Sequence, residues 1–206
     1  MTCRVAAALL WLGMASIATP VGAQIATDPA SAPDGTYRLE TAHSQLLFSI
    51  VHLGLTDYYG RFDRLTGTLS FDAHRPERSA LSVSVDPASV DTQSVQLNNE
   101  LSGPDVFDAA KFPAASFRSR AILRTGPSSG QVIGDLTLHG VTRKITLNAT
   151  FTGGAPNPLS GGYALGFKAT GTIKRSDFGI TGMRWEPMVS DDVTLIIEAM
   201  FDQEQN

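Results

Sequence analysis

Four histidines, His43, His52, His74 and His139, are the side chains in this sequence best suited to acid–base or metal chemistry. His43 is followed by Ser44 ahead of an apolar run, and His139 stands beside Gly140 in a turn-forming pair. A base at either position could activate water or a hydroxyl. Neither has a companion at a recognisable spacing. The chain lacks a Gly-x-Ser-x-Gly elbow and a His-Glu-x-x-His pair, and no glycine-rich phosphate loop opens a helix. A metal site built from His43, His52 and His139 would follow no ligand spacing. Structural hydrogen bonding at strand ends and turns accounts for these residues more simply. Asp91 and Asp177 could form a carboxylate pair, yet Thr92 and Ser176 beside them make both read as turn and cap residues. The only cysteine, Cys3, sits at the extreme start of the chain. No catalytic residue, metal or cofactor is expected.

The elements that would have to position any chemistry are strands. The chain has 206 residues, 42% of them apolar and only 17% charged, with a net charge of −4, which suits one globular domain. An acidic balance without a Lys/Arg cluster argues against nucleic acid as a partner. Residues 1–23 carry Arg4, an apolar run from Val5 to Ile17, the breaker Thr19-Pro20 and small residues up to Ala23. This pattern reads as a secretory signal peptide. The run is too short for the ~20 residues of a spanning helix. The expected product is periplasmic or secreted, without a permanent membrane anchor, and Cys3 leaves with the signal. Residues 24–35, rich in Ala, Pro, Asp, Ser and Thr, read as a flexible leader.

From residue 36 to 203 a two-residue period dominates. Leu65, Gly67, Leu69 and Phe71 share one face. Leu81, Val83 and Val85 do the same, as do Ile145, Leu147, Ala149 and Phe151. Tyr163 to Ile173 forms a long stripe, and Val193 to Phe201 closes the chain. Phe117, Ser119, Ala121 and Leu123 alternate with Arg118 and Arg120, but Ile122 breaks the pattern. Ser94–Ser102 suits one or two short helices stopped by Gly103-Pro104, with a further helix-like piece at Asp105–Ala110. About eight antiparallel strands, several of them long, predict an all-β barrel, which removes exposed edges. Gly67, Gly171, Ala169 and Ala199 fall where bulky residues would plug a lumen, which suits a cavity; a corner or bulge at each glycine would explain the glycines equally well. Trp185 and Phe178 could cover the barrel mouth, though plain packing accounts for them more simply.

The chain from Thr36 to Asp202 resembles the YceI-like, polyisoprenoid-binding periplasmic family. The resemblance is carried by Tyr37 to Ser44, by Phe48 to Gly54 and by Gly60-Arg61-Phe62 with Gly67. It continues through Val90-Asp91-Thr92, Phe107-Asp108, Phe112-Pro113 with Ser116-Phe117, Gly134 to Thr142 and Arg175 to Gly179. One departure stands out: Leu97-Asn98-Asn99-Glu100-Leu101 occupies the helix where many members carry Arg-Asp-x-His-Leu. Val106 also replaces a larger neighbour of Phe107. The resemblance implies a lipocalin-like barrel with an apolar lumen that binds, carries or sequesters an amphiphilic isoprenoid lipid of quinone or polyprenyl type. A homodimer is a further expectation. The alternative is an enzyme acting on a similar lipid, with His43 or His139 as base. The candidate lumen residues are Phe48 and Ile50 on the first strand, Leu69 and Phe71 on the next long one, and Val83 and Val85 after it. Leu136 and Leu138, then Leu147, then Phe167 and Ile173, and finally Leu195 and Ile197 complete the set.

Overall fold

The computed structural model describes residues 25–204; the segment read as a signal peptide lies outside them. The elements in order are β1 (Gly35–His52), β2 (Thr56–Phe62), β3 (Leu65–Phe71), β4 (Ala80–Val85), β5 (Val90–Asp91), α1 (Val95–Ser102), β6 (Ala115–Arg124), β7 (Ser129–Leu138), β8 (Val141–Pro156), β9 (Tyr163–Lys174) and β10 (Val189–Gln203). Every pairing is antiparallel. The order β10-β9-β8-β7-β6-β4-β3-β1 closes on itself because β10 also pairs with β1. Eight strands therefore form a barrel. β1 is long enough to serve two neighbours: Gly35–Arg38 pair with β3, and Leu46–His52 pair with β2. The two-residue β5 adds to the outer edge of β2.

The side-chain alternation in each strand explains the closure. Along β8, Lys144, Thr146, Asn148 and Thr150 are exposed while Leu147 and Phe151 are buried. Rolling the sheet puts one stripe in the lumen and leaves no long edge unpaired. β1 and β10 slip in register between Glu40 and Gln45. There the Ser44 hydroxyl takes the place of a ladder carbonyl, accepting from Met200 N at 2.9 Å. The Glu40 carboxylate accepts from the backbone N–H groups of Ala42 and His43.

Two segments differ from their sequence patterns. α1 is a single helix, capped by the Ser94 hydroxyl, which accepts from Leu97 N. Asp105–Ala110 is a chain of turns rather than a helix, with Asp108 at φ 43°. Six residues behind Gly103-Pro104 are too few to offset helix nucleation. Residues 25–34, read as a leader, lie against the barrel. Ala26 bridges Gly154, a 3-10 turn spans Pro29–Ser31, and Ala32 is buried.

The core is divided between the barrel ends. At one end Tyr37, Phe71, Phe151, Leu165 and Phe201 cluster with Ala32. Phe167 meets Phe151, Phe71 and Phe201 edge to face, at centroid separations of 5.4, 6.4 and 6.1 Å, a favourable aromatic arrangement. At the other end α1 and the turn after it supply Leu101 and Val106, and the connection after β9 supplies Phe178, Ile180 and Met183; together they plug the barrel around Phe48 and Ile173.

Candidate functional site

Between the two clusters runs a cavity of about 340 Å³ with an almost wholly apolar wall. All thirteen candidate residues lie on that wall, from Phe48 and Ile50 on β1 to Leu195 and Ile197 on β10. Parity places them there. On neighbouring strands Ala149 faces Ala169, Ala169 faces Ile197, and Phe117 faces Leu136, so whole rows share the inner surface.

The origin of the open space differs from the simplest reading of the small residues. A Cβ on Gly171 would meet Leu147 Cδ2 at 2.7 Å, and one on Gly67 would meet Val83 Cγ2 at 3.3 Å. These glycines admit neighbouring side chains rather than leave room. Ala199 lines the wall but also packs against the aromatic cluster at one end. Ala149 and Ala169, in mid-barrel on adjacent strands, are wall residues outside the buried clusters. Their short side chains take up little of the cavity there.

The sequence pattern missed one feature of the wall. β6 slips in register against β7 between Ser119 and Ala121. An extra residue at that point reverses the alternation. Ile122 and Arg124 thereby reach the lumen opposite Val132 and Gly130, while Leu123 turns outward and is 49% exposed. Gly134 makes the slip feasible, since a Cβ there would meet Arg118 O at 2.4 Å. The Ser119 hydroxyl accepts from Leu81 N at 2.8 Å. The only trace of this in the sequence is the misplaced apolar Ile122.

The same region opens the wall. β4 pairs with β6 only from Ser82–Arg118 to Val85–Ala115. Beyond Arg118, β6 continues to Arg124 with β7 as its one ladder partner. In the loop after β3 the turn Pro76–Arg78 packs against β6, and Pro76, Ser79, Pro127 and Ser128 line the cavity there. Ile122 and Val132 just inside are part-exposed and belong to none of the buried clusters. The exposed Arg124 and Pro127 bring the lining to the surface at this place, which we call the mouth. At the opposite end Trp185 packs on the plug and lines the cavity, and Phe178 is 1% exposed within the plug.

The histidines hold the scaffold. His43 Nδ1 donates to Glu40 Oε2 at 2.7 Å on the outer surface. Burial alone would raise the Glu40 carboxyl, but these donors hold it below the usual carboxylate range. His139 and Gly140, at φ 51° and 74°, form the two-residue turn between β7 and β8. His139 Nδ1 donates to Phe178 O at 3.2 Å, and its ring meets Phe112 edge to face at 5.0 Å. His52 ends β1 and His74 lies exposed in the loop after β3. Among the described residues no group of His, Cys, Asp and Glu could hold a metal.

Asp91 accepts from Gln93 N at 2.9 Å and pairs with Arg61 at 3.0 Å, contacts that lower its pKa together with a bond from Asn98. The departing helix sequence has its own task. Asn98 Oδ1 accepts from both Thr92 N and Thr92 Oγ1, at 2.8 and 2.7 Å, and so ties α1 to β5.

Residues 37–201 match the YceI-like domain. The chain belongs to the YceI-like family. The UPF0312 protein of Pseudomonas savastanoi pv. phaseolicola is 41% identical over 160 residues, covering 78% of this chain and 83% of that protein. The Campylobacter jejuni YceI protein crystal structure superposes with a TM-score of 0.67 at 32% identity, covering 76% of this YceI-like chain and 91% of that one. A polyisoprenoid binding domain from Saccharophagus degradans, implicated in plant cell wall breakdown, shares the fold. Its TM-score is 0.62 at 19% identity, over 82% of this chain and 98% of that domain.

Proposed function

We propose that this YceI-like protein binds an amphiphilic isoprenoid lipid, of quinone or polyprenyl type, in its barrel lumen. It carries or sequesters that lipid in the periplasm or outside the cell, and no catalytic step is assigned to it. The single observation that carries the reading is the hollow apolar lumen between two closed clusters. Its volume of about 340 Å³ falls within the range of small-molecule sites. Each buried CH₂ contributes ~0.8 kcal/mol, so each five-carbon unit offers roughly 3–4 kcal/mol. A few units outweigh the several kcal/mol lost on association. The ordered family motifs supply the isoprenoid class, and the name of the Saccharophagus domain agrees with it. The histidines support the non-catalytic side of the reading, because His43 and His139 are spent on a bulge and a turn.

Blocking the lumen tests the proposal. Ala149→Phe and Ala169→Phe each place a ring into the cavity from its wall. With the delipidated protein and farnesol as probe, Trp185 fluorescence should report saturable uptake by the parent. Each variant should lose at least tenfold in affinity while keeping its far-ultraviolet circular dichroism spectrum. Undiminished uptake by both folded variants would remove the lumen as the binding site.

A further inference from the structure

Two arginines line the lumen, and they are in opposite electrostatic states. Arg175, at the plugged end, donates to Ser190 O, Ile180 O and Glu186 Oε1 at 3.2, 3.0 and 3.0 Å. Its charge is neutralised by Glu186 and its side chain is only 11% exposed. Arg124 stands at the mouth. Its Nε donates to Gly126 O and its Nη2 to Pro127 O, both at 3.0 Å. These carbonyls of its own turn fix the plane of the guanidinium but carry no formal charge. Among the described residues no carboxylate pairs with Arg124. Five N–H donors are available to a guanidinium, and the turn uses two of them.

The placement has a structural origin. Without the slip at Ser119–Ala121, strand parity would turn Arg124 outward with Arg118 and Arg120, and Leu123 would face the lumen. The bulge therefore exchanges an apolar residue for a cation where the apolar wall comes to the surface. Ser79, Ser128 and Ser129 belong to the loops on either side of Arg124 and line the cavity with it, while Ser116, Arg175 and Glu198 lie elsewhere on the wall; the apolar lining next to Arg124 is Ile122, Val132 and Leu81. A fixed, unpaired guanidinium at the end of a greasy bore suits a ligand with one apolar chain and a negatively charged head. Phosphate and carboxylate both match its forked donors.

We infer that Arg124 is a head-group site and that the preferred ligand is an amphiphile with an anionic head, its chain in the lumen and its head at the mouth. The inference rests on the lumen-binding reading above and narrows it. A polyprenyl phosphate or an isoprenoid acid fits it; an uncharged quinone does not use it. The rim is open to solvent, so the preference is modest. An exposed ion pair contributes up to ~1 kcal/mol, which is about fivefold in affinity.

Three probes with one chain separate the possibilities: farnesol, farnesyl phosphate and farnesoate. The delipidated parent should bind farnesyl phosphate or farnesoate about fivefold more tightly than farnesol at low salt, and the order of the two acids tells which anion fits better. Arg124→Gln should bind all three within about twofold of one another, the ratio of acid to alcohol affinity being the readout. Arg124→Lys should recover part of the preference, and added salt should erode it in the parent alone. Equal binding of the three probes by the parent, or an undiminished preference in Arg124→Gln, overturns the head-group site while leaving lumen binding in place. Failure of the parent to bind any of them overturns the lumen reading and this inference with it.

Discussion

Tyr37 shows how much one side chain can contribute at the closed sector of the barrel. It is 0% exposed, and its hydroxyl donates to Pro33 O at 2.7 Å, pinning the segment before β1. Burial, reinforced by Tyr163 and Asp34, pushes its pKa from 10.0 to about 12. The phenol is neutral when protonated, so its raised folded value favours the folded state at low pH. That contribution is complete below pH 10.0 and is lost as pH rises through about 12. A spectrophotometric titration should show a late tyrosine phase near pH 12 that vanishes in Tyr37→Phe. The substitution should also cost about 1 kcal/mol for the lost hydrogen bond. A titration curve that Tyr37→Phe leaves unchanged in its late part would contradict this environment. At this scale the sequence was a partial guide. The inward residues of β3, β4, β9 and β10, of β1 after Gln45 and of β8 up to Phe151 follow from alternation alone. Arg124 does not, because a bulge is one extra residue with no composition of its own. The roles of Gly67 and Gly171 were hidden too, since a missing side chain can mean open space or a neighbour's close approach.

The bulge in β6 is an element-scale device with a measurable cost. Gly134→Ala would press a methyl group against Arg118 O and the Phe117 ring, at 2.4 and 2.5 Å from an ideal Cβ. Overpacking of this kind costs about 1–3 kcal/mol. Urea unfolding should show a lower midpoint with an unchanged slope, and a midpoint equal to the parent's would deny the close approach. The connection from β9 to β10 depends on pH instead. The Glu186 carboxylate accepts from Arg175 and from Gly182 N, and these bonds hold its pKa below the usual carboxylate range. Asp191 is lowered likewise by the Ser176 hydroxyl and backbone N–H. For carboxyls lowered on folding, the stabilisation is present above the ordinary pKa and disappears as pH falls through the folded value. The melting temperature of the parent should therefore drop more steeply in acid than that of Glu186→Gln. Parallel pH profiles would show that Glu186 does not stabilise this connection. The helix stretch shows where pattern reading stops. Ser94 and Gly103 mark the bounds of α1 in the sequence, whereas the turns at Asp105–Ala110 resemble a helix until the entropy of so short a piece is counted.

The whole molecule is a barrel closed by plugs of different kinds. α1 and the segments following it and β9 seal one end with aliphatic and aromatic side chains. An aromatic cluster packs at the other, with the mouth beside β6. The closed barrel was legible because strand length, turn spacing and a continuous inner stripe are long-range averages that survive local irregularity. The position of the mouth was not, because it depends on where the β4–β6 ladder stops, and ladder length is a tertiary outcome. A hollow apolar lumen in water favours any chain that can fill it, so protein isolated from its native source should not be empty. Native mass spectrometry of that protein, followed by fragmentation of the released species, measures this directly. The account predicts about one equivalent of a single-chain lipid with a repeating five-carbon mass pattern and an ionisable head. Protein that repeatedly arrives with no stoichiometric lipid, and takes up none when offered it, would contradict the account.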